Sequence, residues 1–237
     1  MEQIKYNKDI LTPCFIFFPE ELEKNVSGFQ DALNSHFDRS IVSYSVKTNS
    51  TPSCIKLARE LNAYAEVVSH DEYELARLCG YSKDRIVYNG PMKSKETFID
   101  AIVNGSIVNI ESKKELAWLL ELPVGKKYNI GIRLNINIGK IFPQDADGDY
   151  NDSRFGFSDD TSEFREAVEF ISNLSHVILT GIHIHRTTIS RSISFYENSI
   201  NYTCSVIKKY NLNLNYIDIG GGVFRNIPKQ AYISTIL

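Results

Sequence analysis

No stretch of this 237-residue sequence approaches the roughly 20 consecutive apolar residues that a membrane-spanning helix requires. The N-terminal residues MEQIKYNKDI contain no apolar core of the kind that a secretory signal peptide carries, so we expect a cytoplasmic location. A formal net charge of −3 gives no electrostatic reason to expect binding to nucleic acid or to an anionic membrane. With 43% hydrophobic and 23% charged residues, the composition is that of an ordinary soluble globular protein.

Cysteine is scarce, and its spacing excludes the common paired motifs. The four cysteines, Cys14, Cys54, Cys79 and Cys204, are isolated, and no two of them form a C-x-x-C pair. This pattern indicates reduced, mostly buried cysteines in a cytosolic protein.

What the sequence does contain is a regular alternation of short β-branched runs with amphipathic helical patterns. A first strand is predicted at CFIFF, residues 14–18, and the helix after it opens with Pro19 in its first turn. Seven further strands are predicted, at SIVSYSVKT, AYAEVVS, RIVYNGP, SIVNIES, YNIGIRLNINI, HVILTGIHIH and LNYIDIGGG. Strict alternation predicts a parallel sheet, and seven units of roughly 25–30 residues suit an α/β fold, a nearly complete (β/α)8 TIM-type barrel.

Polar and apolar side chains alternate along several of the predicted strands. The polar positions are Ser43, Ser45, Lys47, Asn49, Arg133, Asn135, Asn137, His183, His185 and Asp218. A parallel sheet covered by helices on both faces is apolar on both faces, whereas a barrel turns one face into its lumen. We therefore expect the polar face to line a lumen, with its chemistry at the carboxyl ends of the strands. An open flavodoxin-like sheet explains the polar stripes less well.

Two features could carry chemistry at those strand ends. An inward-facing Lys47 would be partly desolvated, which lowers the pKa of its amine and frees it for Schiff-base chemistry. From its position alone, a solvated surface lysine remains the alternative. The glycines Gly220, Gly221 and Gly222 follow a strand and expose backbone N–H groups that suit an anion, although a tight turn would also use them.

His183 and His185 lie two residues apart on one strand and face the same way. No acidic or cysteine partner stands at metal-ligand spacing nearby, so we predict no metal site. His185 could stack on a planar ring or donate a hydrogen bond, while a hydrogen-bonded barrel histidine is an equal interpretation of His183. Glu66 and Arg154 are further candidates, each of which alone would more often belong to a structural ion pair.

Together these stretches resemble the fold-type III, alanine-racemase-like pyridoxal-phosphate enzymes, and most of all the diaminopimelate, ornithine and arginine decarboxylase family. YSVKTN resembles Y-A-V-K-A-N, whose lysine holds pyridoxal 5′-phosphate as a Schiff base, which implies that role for Lys47. AYAEVVS resembles A-D-V-V-S, with Glu66 in place of aspartate. GIHIHRTT resembles G-x-H-x-H-I-G-S, which implies that His185 stacks on the cofactor ring and that Thr188 stands near the phosphate.

Two further motifs complete the resemblance, which runs in order over nearly the whole chain. IDIGGG is similar to L-x-I-G-G-G, which implies phosphate binding by the three glycines Gly220, Gly221 and Gly222. RFGF, which contains Arg154, is similar to the K-F-G that opens the helix after strand five. The remaining candidates beside these motifs are Asn49, Ser69, Arg133 and Asp218.

The sequence departs from the family pattern in two places. Arg186 and Thr187 stand where the family carries small or uncharged residues after the histidine. The family continues through an eighth strand with E-P-G-R and a β-rich domain with a catalytic cysteine, completed across a dimer. We expect residues 1–237 to form a pyridoxal-phosphate-binding barrel domain that stops before the eighth strand and lacks the C-terminal β domain. Cys204 falls in a predicted helix and is not the family's cysteine.

The resemblance implies a pyridoxal-phosphate-dependent decarboxylase of an amino acid, or its barrel domain, with Lys47 and His185 as catalytic residues. A basic amino acid such as diaminopimelate, ornithine, lysine or arginine is the substrate that it implies, with a carboxylated polyamine as the alternative. A homodimer is implied for a full-length protein. A non-catalytic pyridoxal-phosphate homeostasis protein, an inactive remnant and a barrel completed by a partner are the alternatives. An amino-acid racemase fits the H-x-H and G-G-G pattern less well.

Overall fold

The computed structural model describes residues 13–143, 155–186 and 192–222. The strands are β1 (Ser43–Ser45), β2 (Tyr64–Ser69), β3 (Ile86–Met92), β4 (Ile107–Ile110), β5 (Tyr128–Asn135), β6 (Phe157–Ser158), β7 (Val177–His183) and β8 (Tyr216–Asp218). The helices are α1 (Pro19–Asn34), α2 (Pro52–Glu60), α3 (His70–Leu78), α4 (Lys95–Val103), α5 (Lys113–Trp118), α6 (Ile138–Ile141), α7 (Glu163–Ser172) and α8 (Ile193–Lys209). Short 3₁₀ turns lie at Val46–Thr48, Lys83–Arg85 and Leu119–Glu121.

Seven parallel strands follow one another in chain order, β1-β2-β3-β4-β5-β7-β8, and β6 pairs with β5 beside this path. The seven strands predicted after the first helix are confirmed. The two-residue β6 was not predicted, because so short a strand carries no periodicity. Across the described ranges no ladder joins β1 to β8, so these two strands form the edges of an open barrel.

Hydrogen bonds between distant strands demonstrate that the sheet is curled. The Asn89 side chain on β3 donates to Asp218 on β8 over 3.1 Å, and Tyr216 on β8 donates to Asn109 on β4 over 2.9 Å. In a flat sheet these strands would lie about 14–19 Å apart, at about 4.8 Å per step. The described strands therefore form an incomplete (β/α)8 barrel, as predicted.

The prediction of a strand at residues 14–18 is wrong. In the described part of the chain these residues form neither a strand nor a ladder, and Phe15 is fully exposed. Phe17 and Phe18 are 38% and 44% exposed. A run of β-branched and aromatic residues becomes a strand only where a neighbouring edge offers hydrogen bonds, and the periodicity carries no information about that edge.

Serine residues start several helices immediately after a strand or loop. The Ser69 hydroxyl accepts the Glu72 N–H over 3.2 Å, while the Glu72 carboxylate accepts the Val68 N–H over 2.9 Å. This reciprocal pair passes the chain from β2 directly into α3. Gly80, with a φ of +92°, follows the end of α3. None of the helices in the described ranges is both long and apolar enough to cross a bilayer.

The core contains an ion pair that is cut off from water. Lys93 and Glu115 lie 3.4 Å apart, with side-chain exposures of 0% and 2%. The Lys93 amine also donates to the carbonyls of Gly90 and Asn109, over 2.6 and 3.0 Å. Burial raises the pKa of Glu115, and the Lys93 charge opposes that rise. This lysine therefore ties the start of α5 to the ends of β3 and β4.

We predict that Lys93→Met lowers the free energy of unfolding by about 3–5 kcal/mol, because Glu115 is left buried without its counter-charge. The matched control is Lys95→Met, since Lys95 pairs with Glu121 over 3.1 Å while both side chains are about half exposed. That change should cost no more than about 1 kcal/mol. Urea denaturation measures both values. Adding Glu115→Gln should recover part of the Lys93→Met loss, and equal losses in the two single variants would contradict the argument.

Candidate functional site

A chain of hydrogen-bonded polar side chains crosses the lumen near the carboxyl ends of the strands. We call it the lumen belt, and its members are Glu66, Asn89, Asn109, Tyr216 and Asp218. Asn109 donates to Asn89 over 2.7 Å, Asn89 donates to Asp218 over 3.1 Å, and Tyr216 donates to Asn109 over 2.9 Å. Because the belt joins β3 and β4 to β8, it holds one edge strand of the open barrel against the opposite wall.

The two carboxyl groups of the lumen belt are held in conditions that favour their neutral form. Burial raises the pKa of Glu66, and the nearby Asp218 charge raises it further. Hydrogen bonds from Ser45, over 2.6 Å, and from Asn89 act in the opposite direction, as does the Lys47 charge. Burial also raises the pKa of Asp218, against the Gly220 N–H and Asn89. The site therefore holds two carboxyls whose pKa values are both raised, chiefly by burial.

Lys47 does not lie on the strand itself. β1 ends at Ser45, and Lys47 is the middle residue of the following 3₁₀ turn, with its side chain exposed. The expectation of an inward, partly desolvated lysine is therefore wrong. Its charge nevertheless lowers the pKa of both Glu66 and His185, which places the amine close to the lumen opening. The residue is a solvated amine at the mouth of the barrel.

His185 lies two residues beyond the end of β7 and faces the same opening. Its Nδ1 accepts the Gly221 N–H over 3.3 Å, so the proton of the neutral ring is on Nε2. Burial, with the charges of Arg133 and Lys47, lowers the pKa of His185 to about 4. The ring lies nearly parallel to that of His183, with centroids 6.4 Å apart. At neutral pH His185 therefore offers an uncharged flat ring.

The glycine segment at the end of β8 passes very close to His185. Gly220 and Gly222 have φ angles of +70° and +95°. A Cβ on Gly220 would fall 2.6 Å from His185 Nδ1 and 2.7 Å from the Ile184 carbonyl, so only glycine permits this approach. The Gly220 N–H donates to Asp218 over 2.9 Å. A Cβ on Gly221 would meet nothing within 4 Å, so the space in front of this residue is open.

A buried charge network supports His185 from beneath. Arg133 donates to Glu111 over 2.7 Å and to the His185 carbonyl over 2.9 Å. Burial alone would raise the pKa of Glu111, but the Arg133 and Lys93 charges outweigh it and the pKa is lowered. His183 Nδ1 lies 3.8 Å from Glu111 and has no hydrogen-bond partner among the described atoms. Arg133 thus links a fixed buried anion to the backbone of His185.

The structure gives two predicted candidates local structural roles. Ser69 caps α3. Asn49 accepts the Thr51 N–H over 3.0 Å through its side chain and the Tyr44 hydroxyl over 2.8 Å through its carbonyl, which shapes the turn before α2. Arg154 and Thr188 lie outside the described residues. The candidates that the structure brings together are Lys47, Glu66, Arg133, His185, Asp218, Gly220, Gly221 and Gly222.

Sequence reasoning missed three residues of the site. Asn89, Asn109 and Glu111 are 3%, 0% and 2% exposed, and each contacts a predicted site residue directly: Asn89 and Asn109 donate to Asp218, and Glu111 accepts from Arg133. Asn109 and Glu111 alternate with Val108 and Ile110 in VNIES. The same two-residue period that singled out Arg133 and His183 could have identified both of them.

Comparison with known proteins gives one family and many relatives. The matching family model is described as "Pyridoxal-dependent decarboxylase, pyridoxal binding domain", and the match covers residues 20–232. A diaminopimelate decarboxylase of Aquifex aeolicus is 32% identical over 219 residues, which cover 90% of this chain and 50% of that protein. The chain spans about half the length of the curated relatives it matches.

Solved structures give the same fold. A diaminopimelate decarboxylase variant from Helicobacter pylori complexed with L-lysine superposes with a TM-score of 0.80 at 23% identity, covering 96% of this chain and 60% of that one. The arginine decarboxylase of Paramecium bursaria Chlorella virus bound to agmatine has a TM-score of 0.68 at 23% identity, covering 90% and 56%. At these identities the likeness bears on the fold alone, and it matches the open barrel described above.

The lowered pKa of His185 gives a prediction for stability against pH. Between the unfolded value of about 6.5 and the folded value of about 4, the unfolded chain binds the additional proton. His185 therefore destabilises the fold as the pH falls through this range, by up to roughly 3 kcal/mol. We predict that His185→Asn, which retains an acceptor for the Gly221 N–H, loses less stability than the wild type between pH 7 and pH 4.

Urea denaturation of the wild type and the variant across this pH range provides the measurement. The raised pKa values of Glu66 and Asp218 act in the opposite direction, because folded carboxyls then bind the additional proton. The test therefore compares how the free energy of unfolding changes with pH in the wild type and in the variant, and does not interpret the slope of either curve alone. Exposed His70→Asn serves as the control. Parallel curves for the wild type and His185→Asn would contradict the assignment of a neutral His185.

Proposed function

The chain belongs to the family of pyridoxal-binding domains of pyridoxal-dependent decarboxylases, and from that premise we propose that it binds pyridoxal 5′-phosphate at Lys47 and acts in the decarboxylation of a small amino acid. One observation carries the proposal. The exposed amine of Lys47, the neutral ring of His185 and the open glycine segment at Gly221 meet at one opening, formed by the ends of β1, β7 and β8.

The groups present fit pyridoxal phosphate in their chemistry. A primary amine can attach to the aldehyde of the cofactor, and Lys47 is a solvent-accessible amine at the mouth of the lumen. A neutral imidazole can stack on a pyridine ring without adding charge, and His185 is held in that state. The Gly220 segment can come so close to His185 only because it lacks a Cβ, and the space beside Gly221 is free for a ligand.

When bound, the cofactor supplies an electron sink for the electron pair left when carbon dioxide departs from the substrate. The residues of this chain have the complementary tasks. Lys47 would hold the cofactor through its aldehyde, and its amine would be placed to hold or return a proton. Glu66 and Asp218 provide protonatable groups beneath it, and Arg133 keeps the His185 backbone in position through its hydrogen bond.

The substrate class is also a proposal. Relatives named as decarboxylases of diaminopimelate and arginine support a small amino acid with a second charged or amino group as the substrate. We further propose a cytoplasmic protein that acts as a homodimer. The exposed apolar side chains Phe15, Ile16, Phe17 and Phe18 support association with another protein surface, because exposed side chains of this kind are rarely left in contiguous groups.

We predict that the purified chain acquires a visible absorption band with pyridoxal phosphate and that Lys47→Ala abolishes it. Lys56→Ala, which removes an exposed lysine on α2, is the matched control and should leave the band intact. Borohydride reduction followed by peptide mapping should place the covalent label on Lys47. A label on another lysine, or a band that persists in Lys47→Ala, would refute the assignment.

Decarboxylation itself is tested by release of carbon dioxide from a panel of diaminopimelate, lysine, ornithine and arginine. We expect release from at least one of these substrates, with loss of the activity in Lys47→Ala. If Lys47 binds the cofactor but no substrate in the panel is decarboxylated, a pyridoxal-phosphate-binding protein without this activity becomes the better description.

A further inference from the structure

A groove on the outer surface of the barrel lies between α5 and α7, away from the lumen opening. It encloses about 290 Å³ and is partly open to solvent. Leu116 and Phe157, which are 8% and 2% exposed, are among the residues that line it. Neither Lys47 nor His185 is among them. The groove is therefore a second concave surface, separate from the site proposed above.

The spacing of the lining residues explains why the two helices leave this space. They stand at positions 113, 116, 117 and 120 on α5 and the turn after it, and at positions 163, 166, 167 and 170 on α7. Both sets follow the spacing i, i+3, i+4, i+7, which places each set on one face of a helix. The middle positions are Ala117 and Ala167, so no long side chain fills the centre. The groove extends for about two helical turns, or about 10 Å.

The two ends of the groove differ in polarity. At one end the Lys113 amine and the Glu163 carboxylate lie 3.4 Å apart, with side-chain exposures of 72% and 41%. Glu166, one turn further along α7, is exposed and joins none of the ion pairs found in the described ranges. At the other end the lining side chains are Leu120, which is 61% exposed, and the half-buried Phe170. The groove therefore presents charges of both signs at one end and apolar surface along the rest.

The dimensions of the groove suit a small ligand. Ligand pockets in proteins measure roughly 300–1,000 Å³, and this groove lies at the lower end of that range. A length of about 10 Å is short for a docked helix, because a helix of average length extends for about 16 Å. A second copy is also poorly matched. A two-fold axis perpendicular to the groove at its centre would set the charged end of one copy against the apolar end of the other.

The charges select one class of small molecule. A purely anionic amphiphile would face Glu163 and Glu166, and a purely cationic one would face Lys113. A zwitterion meets both signs favourably. Its carboxylate can accept from Lys113, whose ammonium has three N–H groups and pairs with only one carboxylate, and its own ammonium can pair with Glu166. An apolar group on the same molecule would then cover Leu116 and Phe157.

We infer that the groove between α5 and α7 binds a free α-amino acid with an apolar side chain. Lys113 binds the carboxylate of this amino acid, Glu166 binds its ammonium, and its side chain lies between Ala117 and Ala167. The inference does not rest on the proposed function, since the groove shares no residue with the lumen opening. It gives the chain a second site, for an amino acid that is chemically unlike the basic substrates proposed above.

The probe is L-phenylalanine, with phenethylamine and 3-phenylpropionate as analogues that lack its carboxylate and its ammonium, respectively. Ligand-detected NMR titration of the 237-residue chain gives the three dissociation constants. L-Phenylalanine should bind about 3- to 10-fold more tightly than either analogue. Glu166→Gln should weaken L-phenylalanine and phenethylamine by a similar factor and leave 3-phenylpropionate no weaker, and Lys113→Met should weaken L-phenylalanine and 3-phenylpropionate instead. The matched controls Glu197→Gln and Lys208→Met, at exposed positions on α8, should change none of the constants.

Ala117→Leu tests the groove itself, because the added side chain fills the centre of the groove from an exposed helical position. It should raise the dissociation constant for L-phenylalanine by more than about 10-fold. Lys47→Ala should leave that constant unchanged, which separates this site from the lumen opening. If Ala117→Leu does not fold, as circular dichroism would reveal, the two charge variants decide the question.

Unaltered binding in Ala117→Leu, loss of binding in Lys47→Ala, or equal affinities for the three ligands would overturn the inference. So would a wild type that does not bind L-phenylalanine at millimolar concentration. If the wild type binds no L-phenylalanine and Ala117→Leu changes the oligomeric state in sedimentation, the groove is a contact between copies, and the inference is wrong. None of these outcomes bears on the proposed function, which is tested by the absorption band that depends on Lys47.

Discussion

Hydrogen bonds across the lumen are the constraint on which the rest of the site depends. Within the described ranges no ladder joins β1 to β8, so side chains hold the curvature of the edge strand β8. Asn89 donates a hydrogen bond to Asp218, and Tyr216 donates one to Asn109, so that both asparagines hold β8 in place. The ladder that pairs His183 with Asp218 brings the end of β8 beside the end of β7, and the closeness of Gly220 to His185 follows from this pairing. The groups that shape the fold and the groups that form the site are therefore neighbours in one network.

A buried ion pair between Arg133 and Glu111 lies beneath the site and sets the electrostatic environment of His185. Glu111 is fully buried and remains the charged partner because Arg133 and Lys93 outweigh the desolvation of its carboxylate. The other guanidinium arm of Arg133 is then directed to the His185 carbonyl. The cation of this pair also disfavours protonation of His185. Burial is the larger cause of the lowered pKa of His185, and the Arg133–Glu111 ion pair adds to it while holding the His185 backbone.

The sequence pattern predicted the strands and the direction of their side chains, because both follow from the two-residue period. It could not predict contacts between elements that are distant in the sequence. Alternation identified the seven strands and the polar face that carries Arg133 and Asp218, because side-chain direction follows from the two-residue period. The end of β1 was misplaced, since its ladder with β2 stops at the pairing of Ser45 with Glu66. Lys47 consequently lies in a turn. The hydrogen bond from Tyr196 to the Gly221 carbonyl depends on the packing of α8 against a strand end, which no periodicity encodes.

The exposure of Lys47 changes how reactivity at this site must be explained. A buried lysine would owe a reactive amine to desolvation, but this one is solvated and stands at the mouth of the lumen. The electrostatic environment of the Lys47 amine is instead set by the neighbouring carboxyl and imidazole groups. Burial raises the pKa values of Glu66 and Asp218 and lowers that of His185. In the proposed function, the exposed amine is accessible to a ligand aldehyde while its charge acts on Glu66 and His185. Chemistry at this opening therefore depends on the arrangement of groups around the amine rather than on its burial.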